Sequence, residues 1–373
     1  MRFVHVCLLN LAARPLRSLL TALGIAVAVG SFIALVGTSR GFERACLQSL
    51  TGRKTHLVGV RTGAIDFLSA SIDESLADRL REVEGVADVA GELLDVALLD
   101  PGYTVQASGW RRTEYLWQSL RLSAGTLPGP AQPDGVVLGH RVAETLAKKP
   151  GDHLAVRGQN LVVTGISERA DLMSRTMLVM ALPTMQKLMH RPGQVTFFCL
   201  RLRHPEDPSA VAAVKERLAA RFGGLTFAET AEMIHNDHFI RLFRATTWSI
   251  SRIAVLMGLV VILNTLLMSV TERTYDIGVL SAIGWQAGRI LSMILIEGVL
   301  LAVVGSLVGS ALGILGLRLM ARLPQVGGFL EPDVSAGMIL EVALVALFIG
   351  IVGSLYPAWR AVRLKPVDSL RHE

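Results

Sequence analysis

Few side chains in this 373-residue chain are spaced for bond-making chemistry. His235-Asn236-Asp237-His238 would put two imidazoles at i and i+3 on one helix face beside a carboxylate, the beginning of a metal site. With no fourth ligand in reach the set stays incomplete, and no metal is expected. Met173, Met177, Met180, Met185 and Met189 offer thioethers that could take Cu(I), but such residues more often fill a core or form an adaptable apolar surface. Cys46 and Cys199 share one compartment and could pair or stay as thiols, while Cys7 precedes the first apolar run. No Ser-His-Asp or Cys-His arrangement follows from spacing, so no catalytic residue is assigned. A phosphate-binding loop needs Gly-Lys-Ser/Thr, and no Gly-Lys pair occurs anywhere. Glu297 is the one charge well inside a long apolar run. It is either an intramembrane functional group, reached through Asn264 or a neighbouring serine, or a structural one within two turns of Arg289.

The elements that must position these residues are set by composition. The chain is 51% hydrophobic and 18% charged, with a mean hydropathy of +0.48. That is too apolar for an ordinary soluble domain and suits a membrane protein with one soluble part. A net charge of +6 and a pI near 9.5 suggest nucleic acid at first sight. The basic residues form no continuous face, however, and many flank apolar runs, so nucleic acid is excluded as a partner.

Four runs are long enough to span a bilayer, which takes about 20 residues. Ser18 to Ser39 is uncharged and follows Arg14-Pro15-Leu16-Arg17. It outlasts the apolar core of a signal peptide and has no cleavage site after it, so an uncleaved helix is expected. Ile253 to Thr271, a third run from near Ile290 to about Leu317, and a fourth from Met338 to Tyr356 complete the set. Gly305, Gly309 and Gly313 repeat at four-residue spacing in the third, a pattern that admits a second helix at close range. Arg2, Arg14 and Arg17 flank the first run, and Arg360, Arg363, Lys365 and Arg371 follow the last. The loop before the fourth holds Arg322 against Glu331 and Asp333. The positive-inside rule then places both termini in the cytoplasm and residues 40–244 outside, with Arg40, Arg44, Arg241 and Arg244 weighing mildly the other way.

Residues 40–244 carry frequent charges and mixed periodicity. Strands are expected over His56 to Arg61, Val136 to Gly139, Leu154 to Arg157, Leu161 to Ile166, Met177 to Leu182 and Val195 to Arg203. Helices are expected over Ile72 to Val83, Arg141 to Lys148 and Pro208 to Phe222, and Glu229 to Arg252 reads as helical into the second span. The expected architecture is therefore a four-transmembrane-helix protein with an inserted α+β extracytoplasmic domain of two subdomains. Its segments are 1–39 (cytoplasmic N-terminus and first membrane helix), 40–244 (outer domain), 245–271 (second membrane helix), 272–288 (cytoplasmic linking helix), 289–321 (third membrane helix), 322–336 (outer loop) and 337–373 (fourth membrane helix and cytoplasmic C-terminus).

The segment 272–288 is a small polar helix tied between two spans, so a push on it moves both. Tyr275, Ile277, Leu280 and Ile283 supply an apolar face, and Glu272, Arg273 and Asp276 supply charges that would orient a partner. Gly278 and Gly284 are unexpected in a short helix, where each costs about 1 kcal/mol against Ala; close approach of another backbone would account for them. An interfacial helix lying on lipid headgroups is the alternative.

Met268 to Gly284, reading MSVTERTYDIGVLSAIG, resembles the cytoplasmic coupling helix of the MacB/FtsX-type ABC transporter permeases. Asn10 to Ile25 resembles that family's entry helix. Val137-Leu138-Gly139 through Gly151-Asp152 to Val163-Thr164-Gly165-Ile166 is similar to its outer domain. Tyr356-Pro357-Ala358-Trp359-Arg360-Ala361 with Pro366 to Arg371 resembles its closing signature. The resemblance spans nearly the whole chain, without the fused nucleotide-binding domain that some members of the family carry and many lack.

The resemblance implies the permease subunit of an ABC transporter in a bacterial cytoplasmic (inner) membrane. Two copies of a separate ATPase would use ATP and Mg, and this chain would bind no cofactor. A second permease chain, identical or related, would complete the assembly, with membrane lipids and a periplasmic adaptor as further partners. The residues coupled to the ATPase would be Glu272, Arg273, Tyr275, Asp276, Ile277, Gly278, Leu280, Ala282, Ile283 and Gly284. The cargo would be an amphipathic lipid, lipoprotein, peptide or drug-like compound, moved by motion of the outer domain. An FtsX-like, ATP-driven regulator of a cell-wall hydrolase is the alternative reading. An ion-coupled carrier is disfavoured because the spans lack internal repeats and ionisable groups.

Overall fold

The computed structural model describes residues 10, 14–63, 70–99, 102–168, 175–321 and 335–363. Cys7, Met173, Arg322, Pro366 to Arg371 and most of the loop 322–336 lie outside them. In chain order, helix α1 (Pro15–Gly52) leads to β1 (Leu57–Arg61), β2 (Ile72–Asp73), α2 (Leu76–Arg81), β3 (Val86–Leu99) and β4 (Tyr103–Trp110). Then come α3 (Leu116–Ser119), β5 (Leu122–Gly125), β6 (Gly135–Leu138), α4 (His140–Thr145), β7 (His153–Val156), β8 (Gln159–Ser167) and β9 (Met177–Ala181). The sheet-bearing part closes with α5 (Leu182–Leu188), β10 (Gln194–Val195), β11 (Phe197–Leu202), α6 (Pro208–Arg221), β12 (Leu225–Glu229) and α7 (Thr230–Asn236). Helices α8 (His238–Glu272), α9 (Thr274–Ala282), α10 (Ala287–Met320) and α11 (Ala336–Val362) end the described chain. It divides into two compact units. One holds Met1–Arg40, Arg244–Met320 and Pro332–Glu373; the other holds Gly41–Phe243 and Ala321–Glu331.

The second unit is built on one ten-stranded sheet in the order β12-β1-β11-β3-β4-β9-β6-β8-β5, with β7 pairing β3 and β8. The two halves expected from the sequence thus share a continuous sheet, bridged by the long antiparallel hairpin β3–β4 from Glu92↔Trp110 to Leu99↔Tyr103. Strand residues alternate between faces. Leu57, Leu93, Leu138, Phe198 and Leu200 enter one apolar cluster, and Val58, Leu94, Val137 and Cys199 enter the other. Burial on both faces explains why these strands read as continuous apolar runs.

A charged group lies within this sheet. Glu92 is 1% exposed, pairs with Arg53 at 3.1 Å and accepts a hydrogen bond from Ser108 at 2.5 Å. Glu114, also buried, accepts backbone N–H bonds from Gly91 at 2.8 Å and Arg111 at 2.9 Å. Burial nonetheless pushes its carboxyl up to about 7. Burial likewise raises the Tyr115 hydroxyl and the Cys199 thiol above their ordinary ranges.

Two expectations fail here for local reasons. The helix expected over 72–83 is a two-residue strand, Ile72–Asp73, followed by a helix from Leu76. Strand β2 pairs with β10, and the Asp73 carboxylate accepts the Ser75 N–H at 2.8 Å, turning the chain into α2. The helix expected over 229–252 is a strand end, a short helix and a long helix. The break is at Asp237, which is extended at φ −56° and ψ 133°, while its carboxylate accepts the Ile240 N–H at 3.0 Å and starts α8.

In the first unit, α1, α8, α10 and α11 are long and apolar enough to cross a membrane. Small residues set the approach of α1 and α10. A Cβ placed on Gly305 would lie 2.8 Å from the Ala22 carbonyl oxygen. On Gly309 it would lie 2.5 Å from that of Ala26, and on Gly313 2.9 Å from that of Gly30. The glycine repeat on α10 is thus matched by Ala22, Ala26 and Gly30 at the same spacing on α1.

Candidate functional site

The chain leaves α8 at Glu272, turns at Arg273 (φ −107°, ψ 20°) and enters the nine-residue α9. The Thr274 hydroxyl donates back to the carbonyls of Thr271 at 2.8 Å and Val270 at 3.2 Å. This satisfies acceptors that the end of α8 leaves open. At the other end, Gly284 N–H donates to Ser281 at 3.1 Å and Trp285 N–H to Leu280 at 3.0 Å. Gly284 has φ +94°. Together these form a Schellman cap. Gly284 therefore serves a left-handed helix end, and nothing lies within 4 Å of where its Cβ would stand. Close approach of another backbone is not needed to explain it.

Two sets of charges hold the turn. Glu272 takes both guanidinium nitrogens of Arg17, at 2.6 and 2.7 Å, and also pairs with Arg14. Arg273 reaches the other way: one nitrogen lies 3.3 Å from Glu297 on α10 and the other donates to the Asn10 carbonyl at 2.7 Å. The Asn10 amide closes the triangle by donating to the same Glu297 oxygen at 2.7 Å. The Arg17 pair is exposed, and such pairs contribute about 0–1 kcal/mol. The Glu297 side chain is only 5% exposed and that of Arg273 16%; removing one partner of a buried pair costs about 3–5 kcal/mol. The Asn10–Arg273–Glu297 triangle is therefore the stronger tie. It joins the entry segment, the α8–α9 turn and α10.

Glu297 is thus satisfied by Arg273 and Asn10, not by Asn264 or a neighbouring serine. Glu272 and Arg273, expected to face a partner, are spent on partners within the chain. The expected apolar face also divides. Ile277 is 2% exposed and belongs to the apolar cluster of the membrane helices, and Gly278 is buried beside it. Tyr275 is 56% exposed and Ile283 68%. With Asp276 and Ala282, both exposed, and the half-buried Val279 and Leu280, they make an outward face with one carboxylate. Asn10, Arg14 and Arg17 are the site residues that sequence reasoning missed. The arginines read only as charges flanking a span, and no local pattern links residues 255 positions apart.

The remaining candidates resolve into structure. His235 lies in the last turn of α7 and His238 begins α8, so the i, i+3 relation on one helix does not exist; His235 Nδ1 lies 3.2 Å from a Glu43 oxygen instead. Met180, Met185 and Met189 are in one apolar cluster and Met177 in the other, on the opposite face of the sheet. Their thioethers fill cores. Cys46 and Cys199 are free thiols.

Residues 18–218 match the family model of the MacB-like periplasmic core domain, and residues 248–366 match that of the FtsX-like permease C-terminal region. A macrolide export ATP-binding/permease protein MacB from Nitrobacter winogradskyi is 25% identical over 96% of this chain and 58% of its own length. The chain thus spans little more than half of such relatives. An uncharacterized ABC transporter permease from Bacillus subtilis, YknZ, is 24% identical over 99% of this chain and 98% of its own. The crystal structure of the periplasmic region of MacB from Actinobacillus actinomycetemcomitans overlaps 51% of this chain and 98% of its own, at 14% identity and a TM-score of 0.40.

Proposed function

The chain belongs to the MacB/FtsX-like family of ABC transporter permeases, and from that premise we propose that α9 is where a separate ATPase docks and drives it. The observation that carries this reading is the division of α9 into two faces. Ile277 and Gly278 anchor it inward, the charged triangle ties its start to α10 and the entry segment, and Tyr275 and Ile283 remain outside. A force on the outer face is passed to helices already joined to the turn, because packed helices move as rigid elements.

In this reading the termini and α9 are cytoplasmic and the ten-stranded domain is extracytoplasmic, in a bacterial inner membrane. Two ATPase copies supply the ATP and Mg chemistry, and this chain is non-catalytic. Two permease chains form the assembly, with a periplasmic adaptor as a further partner. The cycle moves the outer domain and exports or extracts an amphipathic compound. Relatives named for macrolide export support a cargo of that chemical class. The spans support a mechanical cycle better than an ion path: the buried acid Glu297 is locked to Arg273 and Asn10, and a conducting path needs ionisable groups facing a cavity.

The test is co-purification and ATPase stimulation with the full-length chain. The wild type recovers a Walker-motif ATPase, and D276R combined with I283D loses both capture and stimulation. Charge reversal at Glu272 or Arg273 is uninformative, because those side chains hold the chain's own helices. Capture and stimulation unchanged in the D276R/I283D protein would refute docking at this face.

A further inference from the structure

Helix α8 is the least covered of the four apolar helices: 22% of its most apolar stretch is buried within the chain, against 39–56% for the others. Its open side is a regular stripe. Ile250, Ile253, Met257, Val260 and Asn264 follow one another at alternating spacings of three and four, and the half-buried Leu267 continues the spacing, the repeat by which one helix packs along another. Ile250, Ile253, Met257 and Val260 are 45–60% exposed, and Asn264, toward the Glu272 end of the stripe, is exposed as well. The adjacent Thr265 faces inward, where it is bonded to Thr21 at 2.8 Å, whereas Asn264 has no hydrogen-bond partner among the described residues.

Asn264 lies eight residues from Glu272, about 12 Å along the axis at 1.5 Å per residue. It is well inside a hydrocarbon layer of about 30 Å, and its side chain is too short to reach an interface. Lipid satisfies an apolar stripe but offers a carboxamide nothing. The outward sides of the other helices differ. In their central turns the exposed described residues are apolar, as with Leu23 and Val27 on α1, Leu307 and Leu312 on α10, and Leu347 and Ile351 on α11.

We propose that this stripe is the contact with a second copy of the chain, two α8 helices packing in parallel with Asn264 against Asn264 of the copy. A carboxamide both donates and accepts, so across a two-fold axis each can serve the other. One asparagine in an apolar heptad also fixes register and favours a pair. The inference rests on the reading of a paired permease and specifies the face by which the pair forms.

The test uses the full-length chain in lipid nanodiscs. Its mass gives the oligomeric state, and oxidative cross-linking of single-cysteine variants gives the face; the unmodified chain is the blank for its own cysteines. M257C and V260C are expected to cross-link, whereas L307C on α10 is not. N264L is expected to weaken the dimer roughly 3- to 30-fold, the range for an interhelical polar contact in a bilayer, and N264Q to recover part of it. A dimer that cross-links through L307C, or that N264L leaves within about twofold, overturns the Asn264 stripe while the paired reading stands. A single chain per nanodisc overturns the paired reading and the stripe with it.

Discussion

Truncating Ile283 and truncating Ile277 should have opposite consequences, although the two residues share a type and one short segment. Burying an isoleucine side chain fully yields about 1.5–3 kcal/mol. Ile283 is 68% exposed, so a partner covering it gains about two thirds of that, and I283A should lose about 1–2 kcal/mol of docking energy. That is roughly a 5- to 30-fold weaker association with the ATPase, with chain stability unchanged because the side chain touches little. Ile277 is 2% exposed, and I277A should destabilise the membrane unit by about 2–5 kcal/mol through the cavity it leaves. The assays are titration of the purified ATPase against the permease in nanodiscs, and thermal unfolding of the same preparations. If I283A binds the ATPase as tightly as wild type, or unfolds as early as I277A, the assignment of inner and outer faces to α9 is refuted.

Two further outcomes follow, one from the helix packing and one from a buried acid. G309L should separate α1 from α10, because a Cβ there already falls 2.5 Å from a backbone oxygen; overpacking of this kind costs about 1–3 kcal/mol or more, read as earlier thermal unfolding, and an unchanged midpoint would contradict the close approach. Glu114, held up to about 7 by burial, binds its proton more tightly folded than unfolded, so its ionisation opposes folding. Stability of the ten-stranded domain should fall between about pH 4.5 and 7, by about 3 kcal/mol at most from this group. E114Q should flatten that slope in melts across the range, and an identical slope in E114Q would refute the assignment.

Much of the molecule was legible in the sequence because its signals are local or periodic. Four long apolar runs become four long helices, since a bilayer leaves a backbone few other ways to satisfy itself. The repeat Gly305, Gly309, Gly313 marked a packing face. Other parts were not legible. Val86–Leu99 reads as VADVAGELLDVALL, rich in residues that favour helices, yet it forms the longest strand of the sheet; pairing with β11 and β4 and burial on two faces override its propensity. Asp237 breaks a helical pattern through one capping bond, and that single bond separates the two histidines that looked like a metal pair.

The sequence by itself determined the class of protein, the number of apolar helices and the short segment between two of them, because hydrophobic length and motif spacing are properties of neighbours along the chain. Only the tertiary structure decided what that segment's residues do. Glu272 and Arg273 turned inward to Arg14, Arg17, Asn10 and Glu297, Ile277 faced the core, and Tyr275 and Ile283 stayed outside. A charge is assigned its partner by distance in space, and residues more than 250 positions apart have no other way to declare that they meet.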